Sequence, residues 1–578
     1  MMKKYIREFK ILAFAYSFLI VLGVLHYVNS PILREIKHYD FVLYIITGSI
    51  IATVIVLLLS KCKKIDAIFS YLRGKFSLLK KDKIILLLII VVPLILIVAS
   101  LTAEVIMSKL FFSSQFIWQR SLFVFTFLLT VLIIYYFRGK PARIFLCMSL
   151  SIGALFAITM PIAPNSWDEE THYPWALQHS SIYSTYFTQA DHSVRSIRQE
   201  HFFDKALRDS QLGAYNENGK LFSHIVEKDL ARSYMLIGHI PSGIAIFLGR
   251  SFGLAWSVVF ILGRLGNMVV YSIVVYFAIK RIKYGKYIVS IIGLLPSAVF
   301  LASNYTYDNW LISWIILGFS YFIAELQEPD NKAEKKNLVI MLLAFLIGLG
   351  PKPVYFPLMF VLYFIGKGKF KTPEHYRYYK CILTVSILFV VSSIVLPFIL
   401  FTDNFSDQRG GEGVDAVAQI SWILSNPISY IEILIGFLSN YLSPATAEEY
   451  LASFALRGTV KRDFAIMVVF ITAVVITDEN RHPEKISIKL RATMLLYCLV
   501  TVALISTTMY LAFTPVGSHI ITGVQSRYTL PFVCPALLFI KGWNVNRYLE
   551  RHYSTLVFGV SAYFLLSTLF GGYIIKYH

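Results

Sequence analysis

The chain has 578 residues, of which 57% are hydrophobic and only 15% are charged, and its mean hydropathy is +0.64. A soluble fold could not bury so much apolar surface, and many apolar runs approach the roughly 20 residues that a helix needs to cross a bilayer. The composition therefore predicts an all-α polytopic membrane protein. Because the runs are long and do not alternate with polar residues, it excludes an outer-membrane barrel.

The charge distribution points in the same direction. The formal net charge is +20, from 54 Lys and Arg against 34 Asp and Glu. The basic residues are scattered through short loops between apolar runs, as the positive-inside rule expects, and they form no single face for nucleic acid. The five cysteines lie in or beside apolar runs without paired spacing, which indicates reduced packing residues and neither disulfides nor a zinc site.

Residues 1–140 predict an N-terminal membrane extension of four helices. The first ten residues are basic, and no small-residue cleavage site follows Leu25, so the first helix is interpreted as uncleaved with a cytoplasmic N-terminus. The basic flanks of the four spans fall on the cytoplasmic side. These spans are predicted at about 11–29, 41–60, 84–106 and 121–137.

Residues 141–578 predict a second membrane module, with large external loops at about 162–252 and 402–462. Two apolar segments are broken. The segment at about 233–250 contains Gly238 and Pro241 and predicts a re-entrant or interfacial element. The segment at about 338–365 is interrupted by prolines on both sides of Lys352, which predicts a short broken hairpin. With the other spans, at about 143–160, 254–279, 287–303, 309–325, 381–401, 463–477, 489–513, 529–541 and 555–576, the whole chain is expected to have about 13–15 membrane helices.

The stretch from 161 to 175 concentrates acids directly after a predicted span. It carries Asp168, Glu169, Glu170 and His172 within five positions. Acidic groups so close to a membrane are usually functional. On a helix, Asp168 and Glu169 would lie one turn from His172, an arrangement suited to general-base chemistry or to half of a metal site.

The same acids also have a structural explanation. A helix over residues 167–178, capped by Asn165 or Ser166, would place the three carboxylates in its first turn. The helix dipole stabilises negative charge at that position. The pattern alone leaves both explanations open.

Three basic residues in or beside apolar runs are candidates for holding a phosphate. Arg264 lies deep in the span at 254–279, where an arginine must snorkel, pair with a carboxylate or meet a phosphate. Lys352, in the broken hairpin, either snorkels or provides a counter-charge to a phosphate. Arg527 stands in an external turn with Gln525 and Tyr528, which suits a polar headgroup and equally an interfacial anchor.

Six short motifs follow one another along residues 143–541. They are Asp168-Glu169-x-x-His172, Arg264-Leu-x-Asn267, a Pro-bearing span ending at Asp308, Lys352-x-x-Tyr355, Asn426-Pro427 and Gly523-Val-Gln525-x-Arg527-Tyr528. In these motifs and their order the chain resembles a family of bacterial polytopic membrane proteins catalogued as domain of unknown function 2142. The chain has Glu170 and Thr171 where the family commonly has Pro and Ala.

The family is similar in layout to the GT-C glycosyltransferases, which take a sugar from a polyprenyl-phosphate donor. The resemblance implies a GT-C-like fold and an inverting transfer to a cell-envelope glycan or polymer on the outer face of the membrane. It implies Asp168 as the base, Glu169 beside it and His172 in support. Lys352, Arg527 and Arg264 would hold the donor phosphate. The candidate substrate contacts are Glu170, Asp308, Gln525 and Tyr528.

Two other functions remain open at this point. A transporter or flippase of lipid-linked glycans would also use broken helices and intramembrane charges, but its acids and bases should face each other near the middle of the bilayer. A polymerase or ligase would differ mainly in the length of the donor glycan. The expected partners are a polyprenyl-phosphate-linked sugar, an acceptor such as a cell-wall polysaccharide or teichoic-acid-like polymer, and the bilayer, with no nucleic acid.

A metal is neither required nor excluded by the sequence. Glu169 and His172 could join Asp168 around Mg²⁺ or Mn²⁺, yet three possible ligands on one helix do not make a site. The metal, and with it any cofactor, is left open.

Overall fold

The computed structural model describes residues 92–107, 118–160, 168–181, 184–194, 213–227, 234–400, 412–443, 451, 461–478, 486–540 and 550–574. The predicted spans at about 11–29 and 41–60 lie outside these residues. The chain divides into two compact units, one formed by residues 1–148 with 546–578 and one by residues 149–545. The C-terminal helix belongs to the unit that contains the N-terminal residues. The division of the chain into residues 1–140 and 141–578 stays a prediction.

Helices dominate the described residues, and one pair of short strands is present. In chain order the main elements are α1 (Val92–Met107), α2 (Trp118–Tyr136), α3 (Pro141–Thr159), α4 (Glu169–Gln178), β1 (Ser184–Thr188), α5 (Gln189–Ser193), β2 (Phe222–Glu227), α6 (Ile240–Ser251), α7 (Trp256–Arg281), α8 (Lys286–Gly293), α9 (Pro296–Ala302), α10 (Asp308–Gln327), α11 (Lys335–Leu349), α12 (Pro373–Leu400), α13 (Ala416–Ser425), α14 (Pro427–Tyr441), α15 (Lys461–Thr477), α16 (Ile488–Phe513), α17 (Leu530–Leu538) and α18 (Glu550–Leu566).

Seven helices in the described part of the chain are long and apolar enough to cross a membrane. They are α2, α3, α7, α10, α12, α16 and the segment His552–Phe570, in which α18 continues into a π-helix (Ser567–Ile574). This confirms an all-α polytopic membrane protein. The count of 13–15 includes segments that lie outside the described residues, so it stays a prediction.

In the first unit, α2 packs against α1 and α18. An edge-on contact between the rings of Phe123 and Phe570, 5.1 Å apart, joins α2 to the π-helical end of the chain. The first unit contains none of the predicted site residues.

The second unit is built around α7, which packs against both α6 and α10. Gly266 makes the first contact close, because a Cβ at this position would lie 2.5 Å from the carbonyl oxygen of Pro241 in α6. A larger residue would push the two helices apart. The tight crossing places Arg264 and Asn267, which flank this glycine, in the buried interior.

The predicted external loop at 162–252 contains a small packed substructure. Strands β1 and β2 pair in antiparallel orientation. The buried carboxylate of Asp191 in α5 accepts hydrogen bonds from Tyr173 of α4 (2.5 Å) and from the indole of Trp256 (2.7 Å), and it forms an ion pair with Arg250 at 2.7 Å. It also closes a capping box with Thr188. Asp191 thus joins α4 and α5 to α6 and α7.

Two predicted spans have a different local structure from that expected. The segment at 287–303 is not one helix but α8 followed by α9, because Pro296 has no N–H to continue the first helix and begins the second. The predicted break in the segment at 338–365 is confirmed, since α11 ends at Leu349. However, the second half, Pro353–Phe364, is a 3₁₀-helix.

Part of the predicted external loop at 402–462 consists of apolar helix. Helices α13 and α14 meet at Asn426 and Pro427 with a bend of 108°, and together they are apolar enough for a broken span or a re-entrant loop. Their C-terminal end reaches the second unit's candidate site through Tyr441, described below.

Candidate active site

Asp168 has an unusual backbone conformation. Its φ of 58° and ψ of 24° lie in the left-handed region, and it is the one non-glycine residue with positive φ in the described chain. That conformation costs an L-residue about 1–2 kcal/mol, although Asp tolerates it better than most. Such strain is concentrated at functional sites in proteins.

The position of Asp168 corrects the predicted start of the helix. Helix α4 begins at Glu169, and Asp168 is its N-cap residue, although the Asp168 side chain makes no capping hydrogen bond. The predicted caps, Asn165 and Ser166, lie outside the described residues. The dipole explanation applies to Glu169 and Glu170, which are the acids of the first turn.

Glu169 forms a closed ion pair with Arg264. The Nε and Nη2 atoms of Arg264 each donate to one carboxylate oxygen at 2.9 Å, and its Nη1 donates to the carbonyl oxygen of Met160 at 3.0 Å. Glu169 also accepts from the backbone N–H of Tyr305 at 3.2 Å. Both side chains are almost completely buried. The pair fixes the start of α4 to the middle of α7.

One turn further along α7, Asn267 holds the segment that leads to Asp308. Its side-chain amide donates to the carbonyl oxygens of Asn304 (2.8 Å) and Thr306 (3.3 Å). Thr306 in turn donates to the Asp308 carboxylate at 3.3 Å and accepts from its backbone N–H at 3.1 Å. The Arg-Leu-x-Asn motif therefore positions the two acids Asp168 and Asp308 from one helix face.

Lys352 follows the end of α11, where side chains donate hydrogen bonds to backbone carbonyls that have no partner within the helix. Pro351 cannot donate to the carbonyl of Ile347, and the indole of Trp310 donates to it instead, at 2.8 Å. The hydroxyl of Tyr234 donates to the neighbouring carbonyl of Leu346 at 2.8 Å. These contacts stabilise the end of α11 and fix the place from which Lys352 projects.

The turn that carries Arg527 is held by two tyrosines. Tyr355, three residues after Lys352, donates its hydroxyl hydrogen to the carbonyl oxygen of Tyr528 at 2.6 Å. Tyr441, at the end of α14, donates to the carbonyl oxygen of Gln525 at 2.8 Å. The two basic turns are thus linked directly through the Lys-x-x-Tyr motif.

Four charged side chains from these elements form a chain of alternating sign. Arg527 Nη2 lies 3.4 Å from Asp168 Oδ2, and Arg527 Nε lies 3.0 Å from Asp308 Oδ2. Asp308 Oδ1 lies 3.5 Å from Lys352 Nζ. Asp308 and Arg527 are buried, whereas the side chain of Asp168 is 30% exposed. The chain therefore ends in a carboxylate that solvent can reach.

His172 pairs with another histidine. Its Nδ1 lies 3.0 Å from Nε2 of His239, while Nδ1 of His239 lies 3.3 Å from the carbonyl oxygen of Leu236. Because a carbonyl only accepts, His239 carries its hydrogen on Nδ1 and accepts the Nδ1 hydrogen of His172 at Nε2. Burial, with a smaller contribution from His179, lowers the pKa of His239 to about 3. His239 is therefore neutral at ordinary pH and accepts at Nε2 from His172.

The remaining predicted contacts fall into two groups. Tyr528 lies in the charge chain, since its ring centroid is 3.3 Å from Lys352 Nζ. Glu170 and Gln525 are partly buried near its ends, at the start of α4 and in the Arg527 turn. No group of three His, Cys, Asp or Glu side chains suited to a metal ion occurs among the residues the structure describes.

Sequence reasoning missed two residues of this region. His239 was not assigned a role, and no local pattern marks it as the partner of His172. Tyr307 has its ring 4.8 Å from that of His172 and 5.3 Å from Lys352 Nζ, so it separates the dyad from the charge chain. The sequence offered one indication of this role, because Tyr307 directly precedes the candidate residue Asp308.

The geometry is suited to proton transfer and to anion binding at one place. A strained, accessible carboxylate stands beside a buried arginine, and a lysine lies two contacts further along. No curated protein and no solved structure matches the chain. A family model described as predicted membrane protein (DUF2142) matches residues 150–535, which is more than half of the sequence and includes every site residue above. The chain therefore belongs to the DUF2142 family of membrane proteins.

Proposed function

We propose that this protein is a membrane glycosyltransferase that moves a sugar, with inversion, from a polyprenyl-phosphate donor to a cell-envelope glycan or polymer on the outer face of the membrane. The observation that carries the proposal is the conformation of Asp168. Its left-handed backbone and 30% exposed side chain present a carboxylate to solvent beside Arg527. A general base needs this combination of access and fixed orientation.

The proposed reaction is a single displacement at the anomeric carbon. The acceptor oxygen forms a bond to that carbon, and the bond from the carbon to the phosphate oxygen breaks. The phosphate leaves with the bonding electrons as polyprenyl phosphate, and Asp168 takes the hydroxyl proton of the acceptor. Positive charge beside the leaving phosphate stabilises the charge that develops on it, and Lys352 and Arg527 supply that charge.

The other candidate residues have supporting roles in this proposal. Glu169 and Arg264 hold α4 in place through their closed ion pair, and neither takes part in the chemical step. Asp308 orients Arg527 and Lys352. His172 lies one helical turn from Asp168 and supports the start of α4 through its contact with His239. Glu170, Gln525 and Tyr528 are the proposed contacts of a polar substrate.

The outer-face location rests on the charge of the loops. The positive-inside rule, applied to the basic flanks, supports a cytoplasmic N-terminus and an external Asp168 segment. A transferase on the outer face needs a lipid-linked donor, because nucleotide sugars stay inside the cell. A polymerase of lipid-linked glycans uses the same chemistry, so donors of different glycan length distinguish the two enzymes.

The test is turnover by the purified full-length protein in detergent. Short-chain polyprenyl-phosphate sugars are supplied with candidate acceptors, and release of polyprenyl phosphate is measured. Wild type should release it, and Asp168→Asn should slow release by about 10²- to 10⁴-fold, the usual contribution of a general base. Glu217→Gln, the same change at an exposed carboxylate of the external segment, should retain wild-type turnover.

A donor that binds but is never consumed by the wild type would contradict the proposal. In that case proteoliposomes loaded with a lipid-linked glycan would show whether the protein moves the intact lipid across the bilayer, as the transporter alternative requires.

A further inference from the structure

The three basic residues near the site differ in how closely acidic side chains already hold them. All three guanidinium nitrogens of Arg264 donate to Glu169 or to backbone carbonyls at 2.9–3.0 Å. Its side chain is fully buried. A ligand phosphate could reach Arg264 only by breaking the contact that holds α4, so this arginine is part of the scaffold.

Arg527 is also engaged, but by two carboxylates. It lies 3.0 Å from Asp308 and 3.4 Å from Asp168, and only 3% of its side chain is exposed. An arginine between two acids fixes their relative position. Arg527 therefore serves mainly to orient Asp168.

Lys352 is different. Its ammonium group is buried and makes no hydrogen bond of ordinary length among the described residues. Asp308 Oδ1, at 3.5 Å, is beyond the usual hydrogen-bond distance, and the face of the Tyr528 ring lies 3.3 Å away. A buried ammonium held by one long ion pair and a ring face retains donors for a further anion.

Asp308 divides its two oxygens between different partners. Oδ2 is held by Arg527 and by the hydroxyl of Thr306, whereas Oδ1 faces Lys352. Loss of the contact with Lys352 would leave the other contacts in place. The carboxylate can therefore give up Lys352 without leaving its position.

We propose that Lys352 binds the phosphate of the ligand and that Asp308 is an internal counter-ion whose contact with Lys352 the phosphate replaces. That this phosphate belongs to a sugar donor rests on the proposed function. In the ligand-free protein, Asp308 neutralises a buried cation that would otherwise be costly. In the complex, the ligand phosphate neutralises Lys352 in place of Asp308.

The charge balance further selects the kind of phosphate. Lys352 and Arg527 are matched by Asp308 and Asp168, so these four side chains are neutral together. A phosphodiester adds one negative charge, whereas a pyrophosphate adds at least two in a poorly solvated place. The site is therefore fitted to a lipid linked through a single phosphate and disfavours a pyrophosphate-linked lipid.

Binding to the purified full-length protein tests this without any sugar transfer. The probe is farnesyl methyl phosphate, a diester with one charge, compared with farnesyl pyrophosphate. Wild type should bind the diester more tightly. Lys352→Gln should weaken diester binding by at least about tenfold, and Lys352→Arg should restore most of it. Asp308→Asn should strengthen diester binding on the order of tenfold, because a like charge near the ligand is removed.

The most informative result is whether Asp308→Asn binds the diester more tightly or more weakly than wild type, because a misfolded variant would not gain affinity. Weaker or unchanged binding by Asp308→Asn overturns the counter-ion role, and unchanged binding by Lys352→Gln overturns the assignment of Lys352. Tighter binding of the pyrophosphate by wild type overturns the charge argument. If the expected binding is found but no sugar is ever transferred, the proposed glycosyltransferase fails while this phosphate site remains.

Discussion

Glu169 and Arg264 form an ion pair in which both side chains are buried and every nitrogen of the guanidinium has an acceptor at close range. The carboxylate of the preceding residue, Asp168, belongs to a longer and more open arrangement, with contacts of 3.0–3.5 Å and an accessible end. Adjacent acids thus enter opposite environments. Closed geometry indicates a structural role, whereas longer contacts and an accessible carboxylate indicate where a ligand can bind.

The largest effect expected from this comparison is on stability at the closed pair. Arg264→Leu leaves Glu169 as an uncompensated buried charge and should lower the free energy of unfolding by about 3–5 kcal/mol. Thermal unfolding of the purified protein in detergent measures this. The double variant Arg264→Leu with Glu169→Met removes both charges and should recover part of the loss. A stable Arg264→Leu protein that has lost binding of farnesyl methyl phosphate would instead make Arg264 a ligand.

A smaller effect on stability is expected at Asp168, whose side chain is accessible. Asp168→Gly should be more stable than Asp168→Ala by about 1 kcal/mol, because glycine adopts the left-handed conformation freely and alanine does not. Both variants should lack turnover. The pair is compared by thermal unfolding, and equal stability of the two variants would show that the left-handed turn is not maintained in solution.

A pH-dependent effect concerns the His172–His239 dyad, which is buried on the same side of α4 as the closed pair. The pKa of His239 is about 3 in the folded protein and about 6.5 in the unfolded chain. Below pH 6.5 the unfolded state therefore binds the proton first, so His239 makes the protein less stable as pH falls from about 6.5 towards 3.

Replacing His239 by Gln removes this titration. The loss of thermal stability between pH 6.5 and 5, a range above most carboxylate titrations, should be smaller in His239→Gln than in wild type. His224→Gln, at an exposed histidine of β2, is the matched control and should follow wild type. An identical pH slope in His239→Gln and wild type would show that His239 is not buried in its neutral form.

Much of the fold was accessible to pattern reasoning because hydrophobic length and proline positions act locally. The apolar runs at 254–279 and 489–513 correspond to α7 and α16 within a few residues, and the prolines around Lys352 ended α11 where expected. Local rules were less successful where tertiary packing selects the backbone. Pro296 divides one predicted span into two helices, and the segment after Lys352 adopts 3₁₀ geometry.

The sequence by itself determined that the protein is an all-α membrane protein and which residues are candidates for the functional site, because composition and spacing depend on residue type alone. It could not decide between a catalytic and a structural role for neighbouring acids. Only the tertiary structure brings Arg264 to Glu169, across 95 positions of the chain, and Arg527 to Asp168, across 359. The role of each charge depends on its partner, and partners so distant in sequence are selected by packing.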